Sequence, residues 1–184
     1  MNACLLVSLL LLGLGGDDTV ELKEIGMSLP KAVAGIKYQK RQAFDQKSLG
    51  YSVSYGNKMC AVTIIVYDLD KKNIPNGKAG ELVAEQMRRS IDDLKTAETR
   101  GFFKNLQAMK GDLALPKPAL EAFATAGYTF DAKGGGPCKS YILLTGRQQH
   151  FIEVRVTQYV VDKKTNDEEI NAFLGALAKA VSVK

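Results

Sequence analysis

The chain has 184 residues, of which 46% are hydrophobic and 24% charged, and its formal net charge is +5. This length and composition fit one globular domain with a substantial core and leave no room for two well-packed domains. Because His150 is the only histidine, sites that need two or three imidazoles from one chain are excluded, and any Ser-His-Asp or Cys-His arrangement would have to use His150.

Residues 1–16 form an uncharged leader. Its apolar run from Ala3 to Leu14 is too short for a transmembrane helix, which needs about 20 apolar residues. The run is typical of a secretory signal peptide, with Gly13 and Gly15 as the small residues before cleavage. We therefore expect a signal peptide over 1–16 cleaved near Gly15/Gly16, a single domain over 17–184, and an exported protein, periplasmic or secreted, without a transmembrane helix. An uncleaved membrane-associated tail and a buried N-terminal segment are the alternatives.

Removal of this leader would also remove Cys4 and leave Cys60 and Cys138, each inside a strand-like run. An even number of cysteines in an exported protein favours a disulfide. Two buried free thiols are the alternative, because cysteine is among the most buried residue types. A bridge requires Cα atoms within about 7 Å, so the sequence leaves both states open.

The first half of the chain predicts strands followed by a helix. After a polar stretch at 17–24, short extended segments are expected at 25–29 and 36–44. Residues 51–55 alternate with period two, and the next strand, Cys60–Tyr67, is apolar on both faces, which places it in the middle of a sheet. A surface loop then leads to a helix from Glu81 to about Glu98, whose apolar stripe comprises Val83, Met87, Ile91 and Leu94.

The second half repeats this order. Residues 102–115 are ambiguous, with a strand through Leu106 and Ala108 as one interpretation, and Leu115-Pro-Lys-Pro118 is a break. A turn at Gly134–Pro137 precedes strands at 138–145 and 150–157. Asn166-Asp-Glu-Glu169 resembles a capping box, and the final helix that it opens has the apolar stripe Ile170, Phe173, Leu174, Leu177 and Val181.

The strand at 150–157 alternates in a way that separates the two faces of the sheet. Ile152, Val154 and Val156 share one face, and the other face carries Phe151, Glu153, Arg155 and Thr157. This pattern predicts one dry side and one side that is wetter or covered by a helix. If no helix covers the face that carries Phe151, Glu153, Arg155 and Thr157, these residues could line a binding surface. The alternative is that their charges pair across neighbouring strands.

Tight turns inside each group of strands favour antiparallel neighbours. We therefore predict an α+β fold in which two helices pack on an antiparallel sheet of about six strands, in the order strands-helix-strands-helix.

Several strand and turn segments carry a family resemblance: Leu29-Pro30, Gly50–Tyr55, Thr63–Leu69, Asn73–Gly77, Ser140–Gly146 and Phe151–Thr157. Together they resemble a group of uncharacterised exported bacterial proteins, over most of the chain after the leader. In outline the layout is similar to PsbP/Mog1-like sheet-and-helix domains, which act mainly as binding or assembly modules. The resemblance implies no activity and no functional residues.

No residue set is assigned to catalysis, to a cofactor or to a metal. Asp68 and Asp70 mimic the start of a calcium loop, but Lys71 and Lys72 fall within it and would repel the cation. Gly134–Gly136 opens a strand instead of a helix and lacks the following Lys-Ser/Thr of a phosphate loop, so it predicts a hairpin turn.

The remaining candidate is a basic binding surface. For an exported protein, anionic lipid heads or envelope polymers are better partners than nucleic acid. The alternative is that lysines on an edge strand prevent sheets from aggregating. The candidate surface comprises Lys37, Lys40, Arg41, Arg147, His150 and Arg155.

These observations support three hypotheses for function. The leading one is a non-enzymatic, exported binding or accessory module of the cell envelope, whose partner is an envelope protein or an anionic surface. The second is a hydrolase-like or other enzyme with a site built from carboxylates and tyrosines. The third is a purely structural envelope component. A pocket with convergent polar groups would favour the enzyme, whereas a flat basic face would favour binding to anionic surfaces.

Overall fold

The computed structural model describes residues 18–161 and 165–182, so the predicted leader at 1–16 and its Cys4 lie outside the described residues. The strands in chain order are β1 (Thr19–Leu22), β2 (Met27–Pro30), β3 (Ala32–Val33), β4 (Ile36–Ala43), β5 (Tyr51–Gly56), β6 (Cys60–Tyr67), β7 (Phe103–Ala108), β8 (Ala124–Ala132), β9 (Gly136–Arg147) and β10 (His150–Tyr159). The α-helices are α1 (Glu81–Thr99), α2 (Lys117–Ala122) and α3 (Asp167–Ser182).

The described strands form one large antiparallel sheet and one hairpin. The sheet has eight strands in the order β3-β4-β5-β6-β10-β9-β8-β7, and β1 pairs with β2 separately. The α+β class, the antiparallel sheet and the central position of β6 are confirmed. The sheet has more strands than the expected six, because β3, β7 and β8 extend it at its two ends, and α2 is an additional helix.

The first face of the sheet carries the larger core. Ile152, Val154 and Val156 of β10 are buried here, as the alternation predicted, together with the inward residues of β5 and β6. Helix α3 covers this face with Ile170, Phe173, Leu174 and Leu177, and α2 and the β1-β2 hairpin close its margins.

The start of α3 is fixed by polar contacts. The Asp167 carboxylate accepts hydrogen bonds from Thr165 Oγ1 at 2.7 Å and Gln158 Nε2 at 2.8 Å, and Lys139 Nζ lies 3.7 Å away. Burial alone would raise the pKa of Asp167, but these partners outweigh it and lower the pKa below its ordinary value. A carboxylate in the first helical turn is also stabilised by the helix dipole.

The second face carries a smaller core beneath α1. Val83 and Met87 of α1 are buried against Ile142, Leu144 and Phe151. The helix runs towards β7 and packs against β7, β8 and β9. It therefore covers the β10-to-β7 half of this face.

The other half of the second face is formed by β4, β5, β6 and the outer part of β10. Helix α1 touches this half at its margin, where Gln86 bonds to Tyr67 of β6 and Ser90 bonds to Glu153 of β10, whereas its main packing partners are β7, β8 and β9. Paired residues on neighbouring strands point to the same side. One row of such pairs comprises Lys40, Ser54, Thr63 and Arg155, and the row beside it comprises Gln42, Ser52, Ile65 and Glu153. We call this surface the open half-face.

Of the two states left open for the cysteines, the structure has the free one, because Cys60 and Cys138 are both buried free thiols. Strand β10 lies between them, and they pair with its consecutive residues Gln158 and Tyr159. They therefore point to opposite faces of the sheet, and two strand spacings separate them by about 10 Å. That distance exceeds the roughly 7 Å limit for a bridge.

Among the described residues, none of the helices combines the length and the apolar character that a membrane crossing requires.

Candidate functional site

A groove of about 430 Å³ lies where α1 meets the open half-face. This volume is in the range of about 300–1,000 Å³ that small-ligand sites occupy. Its apolar wall consists of Phe44, Leu49, Ile65 and Leu69. Phe44 and Leu49 are 36% and 39% exposed, so the groove presents large apolar side chains to solvent beside polar groups.

The floor of the groove contains a buried carboxylate. The side chain of Glu153 is only 3% exposed. Its Oε2 accepts hydrogen bonds from the Tyr67 hydroxyl at 2.6 Å and from Ser90 Oγ at 2.8 Å, and its Oε1 accepts one from Arg155 Nε at 2.5 Å. Three donors therefore compensate for the loss of water around Glu153.

Tyr67 connects this carboxylate to α1. Its hydroxyl donates to Glu153 and accepts a hydrogen bond from Gln86 Nε2 at 3.0 Å. Burial, and then the neighbouring negative charge of Glu153, raise the pKa of Tyr67. The phenol consequently stays neutral at physiological pH and serves as a donor to the carboxylate.

Gln86 leaves one polar atom without a partner. Its Oε1 is buried and accepts no hydrogen bond from the described residues, and Gln86 lines the groove. A buried acceptor without a donor is unusual in folded proteins and often marks a functional position.

Arg155 is held at one end and accessible at the other. Its Nε is bonded to Glu153, its side chain is 39% exposed, and within the described parts of the chain its terminal NH₂ groups have no hydrogen-bond partner. A guanidinium fixed in this way is preorganised for a carboxylate or phosphate, which it can bind with two parallel hydrogen bonds.

The helix side of the groove carries mostly paired charges. Arg89 Nη2 contacts Glu85 Oε1 at 2.6 Å, and Lys95 Nζ contacts Asp92 Oδ1 at 2.9 Å. Asp93 also lines the groove but makes no hydrogen bond or ion pair with any described residue. The groove thus offers one accessible cationic group on the sheet side and one accessible anionic group on the helix side.

Asp93 and Arg155 line the same groove, Asp93 from its helix side and Arg155 from its sheet side. Along α1, Gln86 bonds to Tyr67 and Ser90, about one turn later, bonds to Glu153, two residues from Arg155 in β10. Asp93 follows Ser90 by three residues and therefore lies about one turn further along α1.

The residues of the predicted basic surface do not form one patch. Lys37 and Lys40 of β4 share the second face with Arg155, because Lys37 pairs with Gly56 and Lys40 with Ser54. Beyond Lys37, the outer edge of β4 has no partner strand among the described residues, which fits the edge-protection interpretation of these lysines.

The other three predicted residues lie elsewhere. Arg41 is on the first face, 2.8 Å from Glu24 and 3.8 Å above the Tyr51 ring. Arg147 Nε donates to the Ile25 carbonyl at 2.8 Å at the end of β9. His150 Nδ1 lies 2.7 Å from the Gln148 carbonyl in the adjoining turn.

Sequence reasoning singled out Glu153 and Arg155 but missed their partners Tyr67, Ser90 and Gln86. A signal for the last two does exist. Gln86 and Ser90 follow Val83 by three and seven residues and therefore share its core-facing stripe. Polar residues at such positions require a buried partner.

No described residues form a group of three or more side chains able to hold a metal ion. The calcium-like segment is a turn, because Asp68 Oδ1 accepts the backbone N–H of Asp70 at 2.8 Å. Gly134–Gly136 lies at the expected β8-β9 hairpin.

Comparisons of the chain with protein-family models, with curated proteins and with solved structures find no match.

Proposed function

We propose that this chain is an exported, non-enzymatic binding module that holds a small amphipathic molecule in the groove beside α1. The observation that carries the proposal is the Arg155 guanidinium, fixed by buried Glu153 and accessible at its NH₂ groups, next to the exposed apolar side chains of Phe44 and Leu49. Small-ligand sites commonly combine an apolar wall with a few oriented polar groups.

The alternative, an enzyme with a carboxylate–tyrosine site, gains a concrete candidate in Glu153 and Tyr67. Their hydrogen bonding favours binding instead. A general base must come within reach of the proton that it removes, whereas the Glu153 side chain is only 3% exposed and is engaged by three donors. The pair is better suited to orienting Arg155.

The amphipathic dye 1-anilinonaphthalene-8-sulfonate tests the groove directly, because it carries one anionic group and an aromatic body. We expect the folded protein to bind the dye with enhanced fluorescence. Replacing both Phe44 and Leu49 by serine should weaken binding roughly tenfold or more, since each lost apolar contact contributes about 1 kcal/mol. Circular dichroism would verify folding.

The matched control is Phe102→Ser. Phe102 is 66% exposed and lies outside the groove lining, so its loss should leave dye binding unchanged. Equal binding by the Phe44/Leu49 double variant and the parent would refute the proposal.

Export is tested separately by expressing the full chain in a bacterial host and sequencing the N-terminus of the mature protein. We expect recovery outside the cytoplasm with a new N-terminus near Gly16 or Asp17. Retention of Met1 on cytoplasmic protein would refute export and leave the binding proposal intact.

A further inference from the structure

We infer, on the basis of the proposed binding function, that the ligand is a small zwitterion with an apolar side chain, either a free apolar α-amino acid or a very short peptide. Three features of the groove would recognise its three parts: a fixed guanidinium, an exposed carboxylate on α1, and an apolar wall.

The carboxylate of the ligand would bind Arg155. Since Glu153 occupies only Nε, the terminal NH₂ groups can donate two hydrogen bonds to one carboxylate. Glu153, Tyr67 and Ser90 fix the guanidinium before binding, which reduces the entropy lost on association.

The ammonium group of the ligand would face α1. Asp93 is exposed, lines the groove and has no partner among the described residues. Arg89, on the same wall, is engaged by Glu85 at 2.6 Å. The Asp93 carboxylate can therefore accept hydrogen bonds from a cationic group of the ligand, whereas an ordinary anion would offer nothing to Asp93.

The apolar side chain of the ligand would lie against Phe44, Leu49, Ile65 and Leu69. The space of about 430 Å³ accommodates one to three residues of a peptide. Asp93 borders the groove and makes no ion pair with any described residue, so a polyanion or an anionic bilayer would bring many negative charges against it, which is unfavourable.

The experiment compares four ligands by isothermal titration calorimetry on the full folded chain. Leucine carries both charges, leucinamide lacks the carboxylate, and N-acetylleucine lacks the ammonium. The dipeptide Leu-Leu separates the charges and adds apolar area. In the parent we expect leucine to bind roughly tenfold more tightly than either of its blocked forms, the size of one well-placed charged contact.

The variants assign each charge to its residue. Asp93→Asn should abolish the preference for leucine over N-acetylleucine and retain the preference over leucinamide, and Arg155→Gln should do the reverse. The controls are Arg88→Gln, at an exposed position of α1 outside the groove lining, and Asp112→Asn, exposed in the β7-α2 loop. If Arg155→Gln fails to fold, Asp93→Asn decides, because Asp93 has no partner within the described residues to lose.

The outcomes separate the two proposals. If leucinamide or N-acetylleucine binds within twofold of leucine, or neither leucine nor Leu-Leu binds, the zwitterion is refuted, and the binding function stands as long as Phe44 and Leu49 still control dye binding. Loss of that control refutes both. Tighter binding of Leu-Leu supports a peptide as the source of the zwitterion, and tighter binding of leucine supports a free amino acid.

Discussion

Replacing Glu153 by leucine should destabilise the fold, because the groups that donate to the carboxylate would lose their acceptor. The Tyr67 and Ser90 hydroxyls lie 2.6 and 2.8 Å from Oε2, and a buried donor that loses its acceptor costs about 1–3 kcal/mol. Ser90 can partly recover by donating to the carbonyl four residues earlier in the helix. We therefore expect Glu153→Leu to lower the free energy of unfolding by roughly 2–4 kcal/mol.

A double-mutant cycle with Ser90→Ala isolates one of these bonds. In the parent, Ser90→Ala removes a hydrogen bond to a charged acceptor, which is worth about 1.5–3 kcal/mol. In the Glu153→Leu background Ser90 has already lost its carboxylate acceptor, so Ser90→Ala should cost nothing or stabilise the protein. The two substitutions should therefore couple by at least about 1 kcal/mol.

Urea unfolding at neutral pH measures all four proteins of the cycle. Thr96→Ala is the control, because Thr96 Oγ1 bonds only to the Asp92 carbonyl of its own helix at 2.9 Å, and its effect should add to that of Glu153→Leu. If Ser90→Ala and Glu153→Leu also add within about 0.5 kcal/mol, Ser90 does not stabilise the carboxylate and the argument for a built groove floor fails.

Three further predictions concern the fold. The pKa of Asp167 is lowered below its ordinary value of 3.8. Its contribution to stability is therefore complete above that value and is lost as the pH falls through the lower pKa of the folded state. Urea unfolding should show Asp167→Asn to be destabilising at pH 6 and nearly neutral at pH 2. Burial raises the pKa of the Cys60 and Cys138 thiols, and only the thiolate reacts readily. Iodoacetamide should therefore label both cysteines slowly in the native protein and fully after unfolding without reductant. No labelling on unfolding would contradict the free thiols. A Cβ at Gly146 would lie 2.0 Å from a backbone oxygen, whereas a Cβ at Gly175 meets nothing within 4 Å. Thermal unfolding should therefore show that Gly146→Ala loses about 2 kcal/mol or more of stability and that Gly175→Ala gains about 0.5–1 kcal/mol. Equal unfolding midpoints of the two variants would contradict the packing at Gly146.

The sequence predicted the elements whose hydrophobic pattern is unambiguous. The apolar run Cys60–Tyr67 is β6, and the alternation at 150–157 correctly divided β10 between two faces. Strands β7 and β8 were less visible because β7 is an edge strand with mostly exposed residues and β8 includes several small ones. Helix α2 has only six residues, too few for a helical period to show.

Only part of the candidate site could be predicted from the sequence, because the site depends on how much of the sheet α1 covers. The local pattern placed Glu153 and Arg155 on one face of the sheet. It did not show that α1 buries Glu153 and leaves Arg155 accessible. The state of the two cysteines was left open for a similar reason. Neither Cys60 nor Cys138 carries a local signal of the strand that lies between them.

A titration of methyl-labelled protein with leucine, followed by NMR, shows whether the ligand occupies the groove beside α1. We expect the methyl signals of Leu49, Ile65 and Leu69 in the groove to shift together and saturably, while those of Leu113 and Val161, outside the groove lining, stay in place. Shifts confined to other surfaces, or none among the groove methyls, would contradict leucine binding beside α1.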